Sequence, residues 1–368
     1  MSNRREFFRK VAGAAAGIVF VPCSRSIPVP FPVRPGWQGG RRPVTIGGRH
    51  IKIVDIHAHC YVTEAWDLAK GHDFGAQLRA EIARAGRLLQ ATNVEERLQA
   101  MDAQGVDVQA IGINPFWYRA KHELAQQIVR LQNEKLAVLC AAHPDRFVAL
   151  ASLALQFPSL AAAQLDHAVR KLGMRGALIG GSVNGQELSN PKFYPFWTKA
   201  QELNVLIFIH PQSFPDGQRR FAGNGWLVNL IGNPLETTVA LSHLIFEGTL
   251  DRFPGLKICA AHGGGYLPSY VGRSDACIEH FPQDCRAVEK RPSEYLKQLY
   301  YDSIVFTEEG LRHLMHEVGP SQIVLGTDFP FGWNPNPVDL ILRAPDLSDA
   351  EREAILGGTA AKLLGIDS

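Results

Sequence analysis

The chain has 368 residues, a length typical of one α/β barrel, and 46% of them are apolar, enough to form a large core. This composition excludes a globally disordered protein. Nine of the 38 basic and one of the 36 acidic residues lie in 1–50, which leaves 29 basic and 35 acidic residues, a formal charge of −6, for 51–368. The main part of the chain therefore lacks the excess of positive charge that nucleic-acid binding requires.

Residues 1–24 predict a twin-arginine signal peptide. Arg4 and Arg5 precede an aromatic pair and two further basic residues, and an apolar run of about 11 residues follows, from Val11 to Val21. That run is too short to span a bilayer, which takes roughly 20 apolar residues. We therefore expect export by the twin-arginine machinery to the periplasm or the cell envelope. A basic amphipathic helix and a lipid anchor at Cys23 are the alternatives.

Residues 25–50 are rich in Pro, Gly and Arg, a composition that is typical of a tether. The folded domain is expected to span residues 51–368. The six cysteines of the chain form no C-x-x-C pair and no dense framework, so the sequence does not predict disulfides.

From residue 51 onward, short apolar or β-branched runs alternate with helix-like stretches. The strand candidates are 51–56, 106–113, 147–153, 175–180, 204–210, 256–262, 299–304 and 322–327. The helix candidates are 94–104, 121–142, 159–172, 190–203, 234–250, 266–280 and 307–317. Strict alternation over eight strands predicts a (β/α)8 barrel. A doubly wound sheet is the alternative, but the Gly-rich turn that usually follows its first strand is not present in the sequence.

Histidines and one aspartate mark the ends of four predicted strands. His57 and His59 end the first strand, His210 the fifth and His262 the sixth, and Asp328 follows the eighth. The C-terminal ends of parallel barrel strands open on one rim, and residues i and i+2 of a strand face the same side. We therefore expect three of these imidazoles and the carboxylate to converge on a divalent metal ion such as Zn²⁺, with one coordination position open for water.

The fourth predicted strand ends in GALIGGSVNG without a lysine at its tip, so the sequence offers no carbamylated lysine to bridge two metals. We predict one metal ion, bound by His57, His59, His210 and Asp328. His262 then remains free to act as an acid/base catalyst near the metal-bound water, and Asp328 is the second residue that we predict to be catalytic. The three glycines after His262 allow the backbone to approach a ligand closely.

Six segments resemble the amidohydrolase superfamily, and within it the branch of aminocarboxymuconate-semialdehyde decarboxylase and related non-oxidative decarboxylases. They are DIHAHC, MDAQGVDVQ, IHP, LKICAAHGGGYLPSYVGRSD, RPSEYLKQLYYDSIVF and VLGTDFPFG. The resemblance covers roughly residues 51–366. It implies a distorted TIM barrel, a mononuclear Zn²⁺ site with the ligands named above, and His262 as the catalytic histidine.

The resemblance also implies substrate-binding residues. Arg273 matches an arginine that these decarboxylases direct toward the active site of a neighbouring subunit, which implies a functional homodimer. A salt bridge on the helix surface is the alternative role for Arg273. Arg87 matches a second carboxylate-binding arginine, and Trp226 matches an aromatic residue of the loop after the fifth strand.

Together these features predict a metal-dependent decarboxylase that acts on an unsaturated or aromatic carboxylate and needs no organic cofactor. Arg273 and Arg87 would hold a carboxylate through paired hydrogen bonds. A metal-dependent hydrolase of a lactone, an amide or a related bond is the alternative, because the same ligands would serve it equally well. A barrel that binds metal without catalysis is a third possibility.

Overall fold

The computed structural model describes residues 39–75, 79, 86–223, 226–285, 288–334 and 336–367. Eight parallel strands, numbered β1 to β8, form the centre of this part of the chain. They are β1 (Val54–His59), β2 (Val108–Gly112), β3 (Phe147–Ala149), β4 (Gly176–Gly180), β5 (Leu206–His210), β6 (Lys257–Ala260), β7 (Tyr300–Asp302) and β8 (Ile323–Val324). Each falls within or overlaps one of the eight predicted strands.

The eight strands close into a barrel. Strands β1 to β3 pair in sequence order, and so do β4 to β8. At one seam Ala151, just after β3, pairs with Ala177 of β4. At the other seam the Ile56 N–H donates to the Leu325 carbonyl at 2.9 Å. The structure thus confirms the predicted (β/α)8 barrel, in a distorted form with weak pairing at both seams.

Helices connect the strands and form the outer layer. The α-helices are Thr63–Ala69, Val94–Gln104, His122–Ala142, Pro158–Leu172, Tyr194–Leu203, Gln218–Phe221, Asn233–Phe246, Thr249–Arg252, Leu267–His280, Pro292–Tyr295, Glu308–Val318, Pro337–Arg343, Asp349–Glu353 and Thr359–Leu364. The predicted helix 234–250 is divided because Gly248 has a φ of 73°, which ends a helix. None of the helices in the described ranges is long and apolar enough to cross a membrane.

The strands are buried on both faces, as is usual where helices cover a parallel sheet, and they therefore appear as apolar runs in the sequence. Ile56, Val108, Leu178 and Phe208 pack together in one interior cluster. A second, larger cluster contains side chains of both the strands and the helices that cover them. These two layers hold the strand ends in fixed positions on the rim.

Residues 39–50, the last part of the predicted tether, lie against the barrel. Val44 and Ile46 are buried, and a hairpin pairs Thr45–Ile46 with Arg49–His50. The predicted tether is thus too long at its C-terminal end, because a short strand there buries its apolar face. The remaining tether residues and the predicted signal peptide lie in residues 1–38, outside the described residues.

Cys277 and Cys285 form a disulfide that the sequence did not predict, with their Cα atoms 6.1 Å apart. The helix ends at His280, and the chain turns back so that the Phe281 N–H donates to the Cys277 carbonyl at 2.8 Å. That turn brings the two cysteines together, and their spacing along the chain does not reveal it. Cys60, Cys140 and Cys259 are free thiols.

Gly357 provides a test of how the C-terminal segment packs beside β1. A Cβ at Gly357 would lie 2.0 Å from the Lys52 carbonyl oxygen, whereas a Cβ at Gly358 would come no closer than 3.5 Å to the Glu353 oxygen. Both glycines lie in one π-helical turn. We expect Gly357→Ala to lower the free energy of unfolding by about 2 kcal/mol, because the backbone must shift. Gly358→Ala should leave that free energy unchanged or raise it, since alanine is the better helix former. Equal effects of the two substitutions in denaturant unfolding would contradict this packing.

Candidate active site

The four predicted metal ligands meet at the rim of the barrel. One donor atom from each of His57, His59, His210 and Asp328 lies within 4.8 Å of the others, and all four residues are buried. His59 Nε2 is 2.8 Å from His57 Nε2 and 3.0 Å from Asp328 Oδ1. His57 Nε2 is 3.3 Å from the same carboxylate oxygen. This arrangement could hold one divalent ion.

The close contacts of His57 and His59 favour a metal site over a network of hydrogen bonds. His57 Nδ1 lies 2.6 Å from Asp302 Oδ2 and directs its proton to that carboxylate, and His57 Nε2 faces the other donors, where a metal ion would take the place of a second proton. A single proton on His59 Nε2 could be donated either to His57 Nε2 or to Asp328 Oδ1, but not to both. A divalent ion would satisfy all of them at once. The donor set therefore fits a metal ion.

The electrostatics of the site also favour a cation. Burial lowers the pKa of His57, but the carboxylates of Asp328 and Asp302 outweigh it and raise that pKa to about 10. Burial dominates at His59 and lowers its pKa to about 4. Burial likewise holds the pKa of His210 well below its ordinary value. The two buried carboxylates lie beside His59 and His210, which the lowered pKa values keep neutral, and the raised pKa of His57 shows that the site attracts positive charge.

Asp302 organises the site, and sequence reasoning missed it. Its buried carboxylate accepts hydrogen bonds from His57 Nδ1 and from the backbone N–H groups of His262 and Gly263, both at 2.9 Å. The predicted strand ran on to residue 304 and placed Asp302 in its interior. In the structure β7 ends at Asp302, so this residue lies on the rim with the other site residues.

His262 lies beside the four donors and is not one of them. Its Nε2 is 3.9 Å from Asp328 Oδ2, and its ring centroid is 5.4 Å from that of His210. His262 and Asp328 have φ angles of 56° and 55°, which residues other than glycine rarely adopt. Both residues therefore lie in turns beyond β6 and β8, and the two strands are shorter than predicted. Backbone strain of this kind is often found at functional sites.

A second buried network fixes the backbone behind the ligands. Asp55 accepts hydrogen bonds from the Thr327 N–H at 3.0 Å, the Thr327 hydroxyl at 2.7 Å and the Gln109 side chain at 3.0 Å. Arg97 donates to the Gln109 amide oxygen and to the His59 carbonyl. The network thus ties β1 and β2 to the residue that precedes Asp328.

A cavity of about 570 Å³ reaches the donor group, since His210, His262 and Asp328 are part of its wall. Most of the remaining wall is apolar and aromatic, with neutral polar side chains such as Ser213 and Asn229. Among the described residues that line the cavity there is no lysine or arginine. Such a cavity is suited to an apolar molecule whose anionic group reaches the donor group.

The predicted substrate-binding residues lie in three different settings. Trp226 lines the cavity and stacks on Trp333, with ring centroids 4.9 Å apart and planes inclined by 22°. Arg273 is exposed on the helix Leu267–His280 and does not line the cavity of its own chain. Arg87 belongs to the turn Gly86–Leu89, but its side chain lies outside the described residues. Substrate roles for all three residues stay predictions.

Comparison with known proteins assigns the family. The profile of the amidohydrolase family matches residues 54–366. A 2-amino-3-carboxymuconate-6-semialdehyde decarboxylase from Dictyostelium discoideum is 34% identical over 336 residues, which cover 87% of this chain and 93% of that protein. The crystal structure of 5-carboxyvanillate decarboxylase from Sphingomonas paucimobilis matches with a TM-score of 0.79 and 25% identity, over 86% of this chain and 100% of that one.

A dihydroxybenzoic acid decarboxylase from Polaromonas sp., solved with manganese and the inhibitor 2-nitroresorcinol, matches with a TM-score of 0.72 and 26% identity, over 86% of this chain and 97% of that one. The chain belongs to the amidohydrolase family, as its motifs predicted. These three similar proteins are decarboxylases, and the predicted class, a metal-dependent non-oxidative carboxy-lyase, is confirmed. Zinc stays a prediction, because the Polaromonas enzyme holds manganese.

The contact between His57 and Asp302 generates a testable prediction. We expect Asp302→Asn to weaken Zn²⁺ or Mn²⁺ binding roughly 10- to 100-fold, because the His57 ring loses the charged partner that orients it. Asp251→Asn is the matched control, since Asp251 accepts a hydrogen bond from Tyr295 and lies outside the donor group. Competition between metal-free protein and a chromophoric chelator measures the affinity. An unchanged Kd in Asp302→Asn would contradict the orienting role.

Proposed function

We propose that this enzyme removes the carboxylate of a substituted benzoate as carbon dioxide, with one divalent ion held by His57, His59, His210 and Asp328. The observation that carries the proposal is the meeting of four buried donors and His262 at one end of an aromatic-lined cavity. The decarboxylase relatives support the reaction class. The aromatic wall supports a ring-shaped substrate, since aromatic rings pack well on one another.

In the proposed reaction a C–C bond is exchanged for a C–H bond at one ring carbon. A bound divalent ion supplies positive charge for the oxygen atoms of the substrate. His262 holds a proton at Nε2 and delivers it to the ring carbon that bears the carboxylate. The C–C bond then breaks, its electron pair restores the aromatic ring, and carbon dioxide leaves. The net change consumes one proton and needs no oxidant or reductant.

We propose Zn²⁺ as the ion. Three imidazoles and one carboxylate suit Zn²⁺, which binds nitrogen and oxygen donors at small coordination numbers. The manganese in the Polaromonas relative makes Mn²⁺ the competing ion, and the same donor types accept it. Loading metal-free protein with each ion in turn and comparing turnover distinguishes the two.

The test of the proposed function is carbon dioxide release from a panel of hydroxybenzoates by the full chain, loaded with Zn²⁺ or Mn²⁺. We expect release from at least one member of the panel, and a loss of about 100-fold or more in His262→Ala with the metal content unchanged. His313→Ala is the matched control, because His313 is an exposed histidine outside the cavity. Turnover of lactones or amides without carbon dioxide release from any carboxylate would contradict the proposal.

We further propose that the enzyme acts as a homodimer in which Arg273 of one chain serves the cavity of the other. Two features support this proposal. The described lining of the cavity offers no lysine or arginine, so an arginine supplied by another chain would add positive charge that these lining residues do not provide. Arg273 and the neighbouring Tyr270 are exposed, and Leu230 and Ile231 expose apolar surface close to the cavity.

Subunit mixing tests the role of Arg273. Arg273→Ala and His262→Ala homodimers should each be inactive, because each active site lacks one of the two groups. Co-expressed chains should regain up to about half of the wild-type activity per mixed dimer, because one of its two sites then holds both groups. Arg291→Ala is the control, since Arg291 is also exposed but pairs with Glu279 of its own chain. No recovery in mixed dimers would contradict the shared site.

Export by the twin-arginine route remains a proposal. The disulfide between Cys277 and Cys285 supports it, because disulfides persist mainly in oxidising compartments. Replacing Arg4 and Arg5 together by lysine should retain the protein inside the cell, as judged by fractionation. Normal export of that double variant would refute the signal assignment.

A further inference from the structure

We propose that Trp226, Trp333 and Phe306 form a specificity-determining aromatic wall, which admits flat aromatic carboxylates in preference to puckered ones. The inference deepens the proposed function and rests on it, because it assumes that a carboxylate binds in this cavity. The resemblance to known decarboxylases implied a role only for Trp226. The roles of Trp333 and Phe306 follow from their positions in the structure.

The three rings come from three different connections and meet at one cavity. Trp226 follows β5, Phe306 follows β7, and Trp333 follows β8; all three line the cavity. The indole rings of Trp226 and Trp333 are stacked, and the Phe306 ring lies 6.3 Å from the Trp333 ring at an angle of 58°. The group therefore combines one stacked pair and one tilted pair of rings.

The backbone of Phe306 indicates that its position serves more than packing. Phe306 has a φ of 65°, a conformation that is rare for a bulky residue, and its side chain is still 51% exposed. Hydrogen bonds from the Val305 N–H to Ser303 and from the Thr307 N–H to Val305 hold this turn. Because the ring remains half exposed, its burial offsets little of the energetic cost of the strained backbone. Its observed result is to add a ring to the cavity wall, and strain of this kind is often found at ligand sites.

The chemistry of the wall explains the preference. Aromatic pairs favour offset stacking or edge-to-face contact, which depends on the charge distribution of both rings. A benzoate ring can make such contacts with the aromatic wall. A cyclohexane ring of similar size has no π-face and is puckered, so it can make only dispersion contacts. Near the donor group, both molecules present the same carboxylate.

The test compares the binding of benzoate and cyclohexanecarboxylate to the Mn²⁺-loaded full chain by calorimetry. We expect the wild type to bind benzoate about tenfold more tightly, as a few aromatic contacts would produce. Trp333→Leu and Phe306→Leu keep apolar volume but remove the ring, and each should reduce the ratio to about threefold or less. Trp333→Phe should restore most of it. Phe281→Leu is the control, because Phe281 is 55% exposed and lies outside the cavity wall.

Equal binding of the two acids by the wild type would overturn the proposal, and so would an unchanged ratio in both leucine variants. Metal content is measured in every variant, so that a lost metal ion is not mistaken for a lost preference. Failure of the proposed function gives a different result. In that case the preference for benzoate would persist while no hydroxybenzoate released carbon dioxide.

Discussion

The hydrogen bond between His57 Nδ1 and Asp302 joins two positions 245 residues apart, and the candidate site depends on it. It connects β1 with β7, the two strands that flank β8 in the closed barrel. Because Asp302 also accepts the backbone N–H groups of His262 and Gly263, one carboxylate orients a metal ligand and the turn that carries the acid/base histidine. The buried Asp302 carboxylate needs these donors as much as they need it, since an unpaired charge inside a protein is costly.

The rim combines rigid strands with strained turns. His57, His59 and His210 lie on strands that are buried on both faces, so that packing fixes their backbones. His262 and Asp328 lie in turns with positive φ angles, which the hydrogen bonds of Asp302 and of the network around Asp55 maintain. Such an arrangement keeps the donors close together before any ion binds, and less of the binding energy is then spent on ordering them.

Much of the fold and the donor group could be predicted from the sequence, because both depend on short-range patterns. Apolar runs predicted every barrel strand, and His57, His59, His210 and Asp328 stood at or next to strand ends. The prediction failed where the answer depends on where a strand stops or on where the chain turns. Asp302 was hidden inside a strand predicted too long, and the disulfide of Cys277 depends on a turn after a helix.

The end of the tether and the aromatic wall show the same limit. Val44 and Ile46 lie at a two-residue strand, Thr45–Ile46, which is too short to stand out from the Pro- and Gly-rich residues before it. Trp333 and Phe306 are far apart in the chain and become neighbours only when the connections after β7 and β8 meet above the barrel. No local pattern in the sequence indicates that these two residues are neighbours.

The central claim is that one metal ion lies among the four donors. X-ray absorption spectroscopy at the metal edge of the full chain, combined with elemental analysis, tests this claim most directly. We predict one ion per chain, with nitrogen and oxygen neighbours only and outer-shell scattering that fits three imidazoles. Two ions per chain, or a sulfur neighbour from one of the cysteines, would contradict the account.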